Sequence, residues 1–378
     1  MAFISLGKIN NNQIPILIGC LFCFLNRLLN QYDGTLLYKN LILTNIFISL
    51  SGVFALIPFI ILKKRSQRVK NIDIDNRKTT NTKIEYIYTD YGEENVQGKF
   101  RYILLSAIIF FIQSIFFVAS FKIKSNSWIL FISFASLFYY IIFKIKLYNH
   151  HYLSIILIIL IGVIIDLVSE NLQNDISDNL PSLLMRFIRE VLFSFFNVII
   201  KYVMEKKYVS AYEMTFYNGI INFILFGISA IIDFYFFNNN NNNYEEYFNN
   251  FNIKELLVIL GVMGTQLGLN LSSIFTIKKN SPCHAFIILV FGQFAYYVNF
   301  EGYSILIIIG LIFILFLSLI FNEIVEINFW GLSRNTKNNI SSRAESKEDF
   351  LIDNNDTFDE NDERDENSVE LGNNETHN

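Results

Sequence analysis

Charge is what this chain has little of: only 17% of its 378 residues are Asp, Glu, Lys or Arg, against a 52% hydrophobic and 16% aromatic share. Soluble domains carry about 25% charged residues, so a water-soluble enzyme is excluded. Many of these few charges lie in residues 63–101 and in an acidic tail over 334–378, which leaves the apolar stretches nearly bare. A bilayer-spanning chain follows. Cysteine is equally scarce: Cys20, Cys23 and Cys283 all fall within or at the edge of apolar runs, so a disulfide framework is not supported. Cys20 and Cys23 make a CxxC, but Ile, Leu and Phe flank it and no second ligand pair accompanies it, which argues against metal or redox chemistry. The net charge of −4 comes from a tail of Asp, Glu and Asn too poor in apolar residues to fold, so no basic surface for nucleic acid is expected. Metal-spaced His/Asp sets, a nucleophile elbow and a glycine-rich phosphate loop are missing as well. No catalytic residue, metal ligand or cofactor is expected.

What is present is a series of apolar runs between polar breaks, at about 14–31, 41–62, 102–120, 128–145, 152–169, 182–204, 212–236, 255–276, 283–300 and 303–325. At roughly 20 residues per span, ten helices use about 200 residues. The first run is read as a span and not as a signal peptide, because its flank carries only Lys8, it contains Arg27, and no small-residue cleavage site follows. Lys and Arg then set orientation. The even-numbered connections hold Lys63, Lys64, Arg65, Arg68 and Lys70, then Lys144 and Lys146, Lys206 and Lys207, Lys278 and Lys279, and the tail opens with Arg334 and Lys337. The odd-numbered connections hold Lys39, then Lys122 and Lys124, none between Ser169 and Pro181, Lys254, and none between Asn299 and Tyr303. Both termini are therefore expected in the cytosol. The sequons at Asn339, Asn355 and Asn374 all fall in the tail, so the native chain should be unglycosylated, and a glycosidase-sensitive mobility shift mapping to the tail would overturn this orientation.

An internal repeat organises the chain further. Phe121-Lys-Ile-Lys-Ser-Asn-Ser127, before the fourth helix, recurs as Phe275-Thr-Ile-Lys-Lys-Asn-Ser281 before the ninth, and Tyr139-Tyr140 answers to Tyr296-Tyr297. His151-Tyr152 opens the fifth helix as Gly302-Tyr303 opens the tenth. An odd number of spans per repeat inverts the second half across the membrane, as in alternating-access transporters. The expected fold is thus all-α, with ten transmembrane helices as two inverted five-helix repeats. A cytosolic segment 1–13 precedes a first repeat over 14–169, which contains the cytosolic loop 63–101. The second repeat covers 182–325, with an Asn-rich luminal loop over 237–254, and a disordered acidic cytosolic tail covers 334–378.

Several stretches resemble the drug/metabolite transporter superfamily, and within it the solute carrier family 35 F-type, EamA-like branch. Lys144-Ile-Lys146-Leu-Tyr148-Asn-His-His151-Tyr, running into Ile161-Gly162, is similar to that branch's basic turn and glycine-bearing fifth helix. Lys201-Tyr-Val-Met-Glu205 through Ser210 and Glu213 to Tyr217-Asn-Gly219 resembles its junction of helices 6 and 7. Ser281-Pro282, and Phe321-Asn322-Glu323-Ile324 leading to Asn335-Thr336-Lys337, resemble its ninth-helix start and its tail. Departures are Gly52-Val53 where the branch tends to carry Gly-Glu, the missing Gln and Arg early in helix 4, and Asn222 in place of a second glycine. The resemblance implies a site between helices 1–4 and 6–9, with helices 5 and 10 peripheral, and leaves the substrate open.

Polar groups inside the membrane cost a few kcal/mol each and usually face the bundle or a water-filled cavity. Candidate solute-binding residues are Arg27, which matches a frequent Lys of the branch, Asn45 and Ser49 on one face of helix 2, Gln113 in helix 3, Asn218 and Asn222 in helix 7, and Gln266 and Asn270 in helix 8. The amides serve equally well as contacts between helices, and both readings stay open. Gly264 and Gly268 are expected to mark close packing. Arg186, Arg189 and Glu190 are gate candidates near the outer end of helix 6, with Arg186 and Glu190 at ion-pair spacing and a mostly solvated interfacial pair as the plainer reading. The histidines His150, His151 and His284 read as interfacial.

The expected function is secondary transport of a small polar or anionic solute, such as a nucleotide sugar, metabolite or drug, by alternating access. The competing reading is a non-transporting membrane adaptor. Expected partners are the solute and the lipid bilayer, with a homodimer left open. Asp349-Phe350-Leu351-Ile352 after Glu348 resembles an acidic di-leucine signal, which leans toward an endolysosomal membrane, with the Golgi close behind.

Overall fold

A backbone in lipid must satisfy its own hydrogen bonds, so long apolar runs have few options besides helix. The computed structural model describes residues 4–6, 11–32, 41–64, 98–119, 127–168, 176–236, 253–298, 305–327 and Thr336. Within them lie α1 (Ile14–Tyr32), α2 (Leu41–Val53, resuming over 56–64), α3 (Lys99–Ala119), α4 (Leu130–Phe143), α5 (Asn149–Val168), α6 (Ile176–Lys206), α7 (Ala211–Phe236), α8 (Ile253–Lys279), α9 (Ala285–Val298) and α10 (Ile305–Phe321). Among the described residues the protein is all-helical apart from one short ladder. Four stretches, Ile42–Lys64, Lys99–Ala119, Ala211–Asp233 and Leu256–Lys279, are long and apolar enough to cross a membrane, and five shorter apolar helices accompany them. Large apolar side chains face outward, as along Ile156, Leu160, Val163 and Ile164 of α5. This spacing is one face of a helix, and lipid is the solvent that tolerates it.

Several expected boundaries move, each for a local reason. Helix α2 breaks at 54–55, where Phe54 and Ala55 hydrogen-bond to the carbonyls of Ser51 and Gly52, three residues back. Pro58 explains the break: it has no N–H to offer the Phe54 carbonyl, and its ring crowds that group. Helix α6 begins at Ile176, not at the expected 182, and carries Pro181 inside it as its sixth residue, where the missing N–H leaves the Ser177 carbonyl without its helical donor. Helix α10 ends at Phe321, short of 325, where Glu323 takes the left-handed conformation (φ 57°). Beyond it, Val325–Ile327 (β2) pairs antiparallel with Ile4–Leu6 (β1), a strand within the N-terminal segment before α1. The first repeat copy at 121–126, most of the cytosolic loop, the Asn-rich loop, the sequons and the acidic signal lie outside the described residues.

Helix α1 packs on α8 and α9, and α6 packs on α3 and α4. Helix α2 packs on α7 and α8, α3 on α7, and α5 on α10. The crossing of α2 with α7 is the tightest in backbone terms: a methyl group at Gly219 would lie 2.7 Å from the Gly52 carbonyl carbon. Two glycines are what allow two backbones so close. Gly219→Ala should therefore destabilise the protein by about 1–3 kcal/mol through overpacking, read as a lowered melting temperature in detergent. An unchanged melt would mean that the helices part without cost. The expected glycine pair of α8 is only half at work, since Gly268 abuts the Phe22 ring whereas Gly264 meets nothing within 4 Å.

Polar contacts collect at one end of the bundle. The β1–β2 ladder brings the segment before α1 to the segment after α10. Asn280 Nδ2 donates to the Asn12 carbonyl (2.8 Å), and the buried Lys201 Nζ donates to the carbonyls of Lys278 (2.7 Å) and Asn280 (2.9 Å). Lys99 Nζ meets Glu213 Oε1 at 2.7 Å, and His150 Nε2 meets Glu323 Oε1 at 3.1 Å. Ser210 accepts the Glu213 N–H at 3.1 Å, a capping arrangement that starts α7 at the same end. Lys201 holds the carbonyls that end α8, so Lys201→Met should cost about 2–3 kcal/mol, from a charge-assisted bond lost and buried carbonyls left bare. Thermal unfolding in detergent would show it, and an unaltered melt would refute this role.

Candidate functional site

Between the two halves lies a cavity of about 190 Å³, many times the roughly 10–15 Å³ that one water needs on this measure. Its lining comes from α1, α2, α3, α6, α7, α8 and α9, and none of it from α4, α5 or α10. Helices α5 and α10 pack on each other, and α4, expected among the site's helices, packs on α6.

Five of the eight residues singled out as solute-binding candidates line this cavity: Ser49, Asn218, Asn222, Gln266 and Asn270. The helical spacing accounts for it. On α7, Asn218 and Asn222 lie one turn apart with Thr215 a turn earlier, and on α8 Gln266, Asn270 and Ser273 follow in the same way. Helix α6 adds an aromatic wall of Phe193 and Phe196 with Asn197, and Phe110 of α3 closes it. Tilted ring contacts at 5.3 Å between Phe110 and Phe196 hold that wall together.

The remaining candidates sit elsewhere. Gln113 is buried but turns to its neighbour, donating from Nε2 to Ser114 Oγ at 3.1 Å. Asn45 is buried outside the lining. Arg27 is half-buried one turn beyond the lining residue Cys23, near Gly292, and is not itself part of the wall. Gln266 bridges helices as well as facing the cavity: Asn26 Nδ2 of α1 donates to Gln266 Oε1 (2.6 Å), and Gln266 Nε2 donates within α8 to Asn270 Oδ1 (2.9 Å). The contact between helices is thus present at Gln266, which also faces the cavity.

Three cavity residues carry polar atoms that find no partner: Ser49 Oγ, Asn218 Nδ2 and Asn222 Oδ1. Ser49 is 4% exposed and Asn222 1%. Leaving such atoms bare costs about 1–3 kcal/mol each, which a stable bundle with no use for them would avoid. Among the described residues that line the cavity none is charged.

The gate candidates are arranged differently from their sequence spacing. Glu190 Oε1 lies 3.1 Å from Nη1 of its neighbour Arg189, though not along a hydrogen-bond direction, and Arg189 lies over the Phe117 ring at 4.5 Å. Helix α6 extends to Ile176, so Glu190 falls near its middle and is only 1% exposed. Glu190, expected in a mostly solvated interfacial pair with Arg186, is instead buried beside the half-buried Arg189. Arg186 lies one turn before Glu190 and is half-buried.

The histidines are also less peripheral than expected. His150 is buried against Glu323, and His151, 4.0 Å from it between ring centres, accepts the Tyr148 N–H at Nδ1. That bond leaves the proton of a neutral His151 ring on Nε2, which turns a donor toward Glu323 where a metal would need a lone pair. This cluster fastens the start of α5 to the end of α10. Cys20, Cys23 and Cys283 are all free and buried.

Sequence reasoning missed Asn197, Thr215, Ser273 and Cys23 in the wall. Asn197 carried a usable signal, being an amide in an apolar helix, but the charged residues of α6 drew the reading away from it. Compared with known proteins, the chain matches no family model and no curated sequence.

Proposed function

We propose that this chain is a secondary transporter of the drug/metabolite type, moving a small polar solute by alternating access through the central cavity. The observation that carries this reading is a cavity between the halves whose buried wall holds unpartnered polar atoms. The helix packing supports an inverted repeat. Exchanging the first five helices with the last five turns α1 on α8 into α6 on α3, α1 on α9 into α6 on α4, and α3 on α7 into α8 on α2. The pairs α2 with α7 and α5 with α10 map onto themselves. Short 3-10 turns at Ser127–Ile129 and Pro282–His284 introduce α4 and α9 alike, at the two ends of the sequence repeat. A pseudo-two-fold arrangement of this kind gives two half-bundles of similar energy in opposite tilts, the condition for exchange.

The contacts gathered at one end of the bundle involve the N-terminal segment, the three even-numbered connections after α4, α6 and α8, the start of α3, and the segment after α10. Ten crossings produce that grouping. With the charge bias, it favours a cytosolic location for that end. The membrane we favour is endolysosomal, on the acidic tail motif. Uptake by purified protein in liposomes, screened over sugars, nucleotide sugars, amino acids and drugs, tests the proposal. At least one solute should accumulate above protein-free vesicles. Failure across the whole panel would leave the adaptor reading in its place.

A further inference from the structure

We infer that the cavity recognises an uncharged moiety bearing a hydrogen-bond donor and a second polar group on an apolar or aromatic body, as a carboxamide or hydroxylated ring does, and that it does not hold an anionic group. This rests on the transport reading above and narrows its solute class. Asn222 Nδ2 donates to the Asn218 carbonyl at 2.8 Å, and a carbonyl only accepts, so the amide cannot be turned round. The bare atom of Asn222 is therefore the acceptor Oδ1, which calls for a donor on the solute. Asn218 sets one end of its amide 2.9 Å from Ser106 Oγ and leaves the other end bare one turn away; the single Ser106 proton also has the Ile103 carbonyl at 2.7 Å, so the bare end serves as a donor or, turned round, as an acceptor. Ser49 Oγ, across from α7 on α2, supplies a hydroxyl able to do either.

Charge is the other half of the inference. No cation among the described lining residues stands ready to neutralise a phosphate or carboxylate, and Phe110, Phe193 and Phe196 present ring faces that suit a neutral body. Arg27, the cation among the solute-binding candidates, sits one turn beyond Cys23 at the margin, and the buried Lys201, next to the lining residue Ile200, spends its ammonium on the carbonyls of Lys278 and Asn280 and on Glu205. Asn26, beside Arg27, bonds Gln266. Ser273 lies seven residues further along α8, roughly 10 Å at 1.5 Å per residue. An anion that reached Ser273 would leave Arg27 behind.

The test uses a full-length variant with Cys20, Cys23 and Cys283 replaced by serine and one cysteine at Ser273, and a second variant with Thr215→Cys instead, in case the first fails to fold. In proteoliposomes each is treated with 2-hydroxyethyl methanethiosulfonate, which is neutral, and with the 2-sulfonatoethyl reagent, which is anionic and of similar size. Rates are normalised to those with a free small thiol. The neutral reagent should react at least tenfold faster at both positions. Equal rates, or a sulfonate rate that falls on adding Arg27→Leu, would overturn the uncharged class and leave transport standing. Reaction with neither reagent, when the same cysteine reacts fully in denatured protein, would mean a cavity closed to water from both sides and would remove the transport reading together with this one.

Discussion

Asn222→Leu should reduce uptake at least tenfold while leaving the melting temperature of the purified protein unchanged or higher. The two effects separate because Asn222 Oδ1 is buried and unpartnered. Replacing an unsatisfied polar group by an apolar one of similar size is neutral or stabilising for the fold. The lost Nδ2 bond runs to the carbonyl one turn back, which already belongs to the helix. For a solute whose donor meets Oδ1, however, the substitution leaves that donor desolvated and bare, a loss of the order of 1–3 kcal/mol or more in binding. Asn45→Leu is the control: Asn45 is buried outside the cavity, so any loss of uptake there should follow a loss of stability. If Asn222→Leu transports normally, the cavity is not where the solute binds.

The second large effect concerns sidedness. In a chain with Cys20, Cys23 and Cys283 removed, a cysteine at position 278 and one at position 124 should each react with an impermeant thiol reagent from one side only, and from opposite sides. The repeat sets Lys124 and Lys278 at matching positions before α4 and α9. Helices α4 to α8 separate the two positions, and their number is odd. Lys278 closes α8 beside Lys201 and Asn280, at the end where the N-terminal segment and the segment after α10 also meet. Labelling of both positions from one side would break the inversion.

Apolar runs and loop charges were enough to read the helices, because a membrane helix needs little beyond an uninterrupted hydrophobic stretch. Boundaries were less legible where a local bond decides them, as at Pro58 or at the left-handed Glu323. The ladder of residues 4–6 with 325–327 joins the segments before α1 and after α10 through groups that look unremarkable alone. For the site, the cost of a buried amide pointed to Asn218, Asn222, Gln266 and Asn270. That cost is the same whichever way a helix turns its face, so it could not tell those residues from Gln113 or Asn45. The environment of Glu190 was hidden for a related reason. Its depth depends on where α6 begins, and the apolar run from 182 placed that start later than Ile176.

Alternating access through one cavity is most directly tested by counterflow. Proteoliposomes preloaded with a high concentration of unlabelled solute, taken from those that pass the uptake screen, are diluted into a trace of the same solute carrying a radiolabel. A carrier whose cavity faces one side at a time returns faster when occupied, so the label should rise transiently above its equilibrium level and then decay. Asn222→Leu should abolish this overshoot. Label that only approaches equilibrium, at a rate indifferent to preloading, would contradict the account.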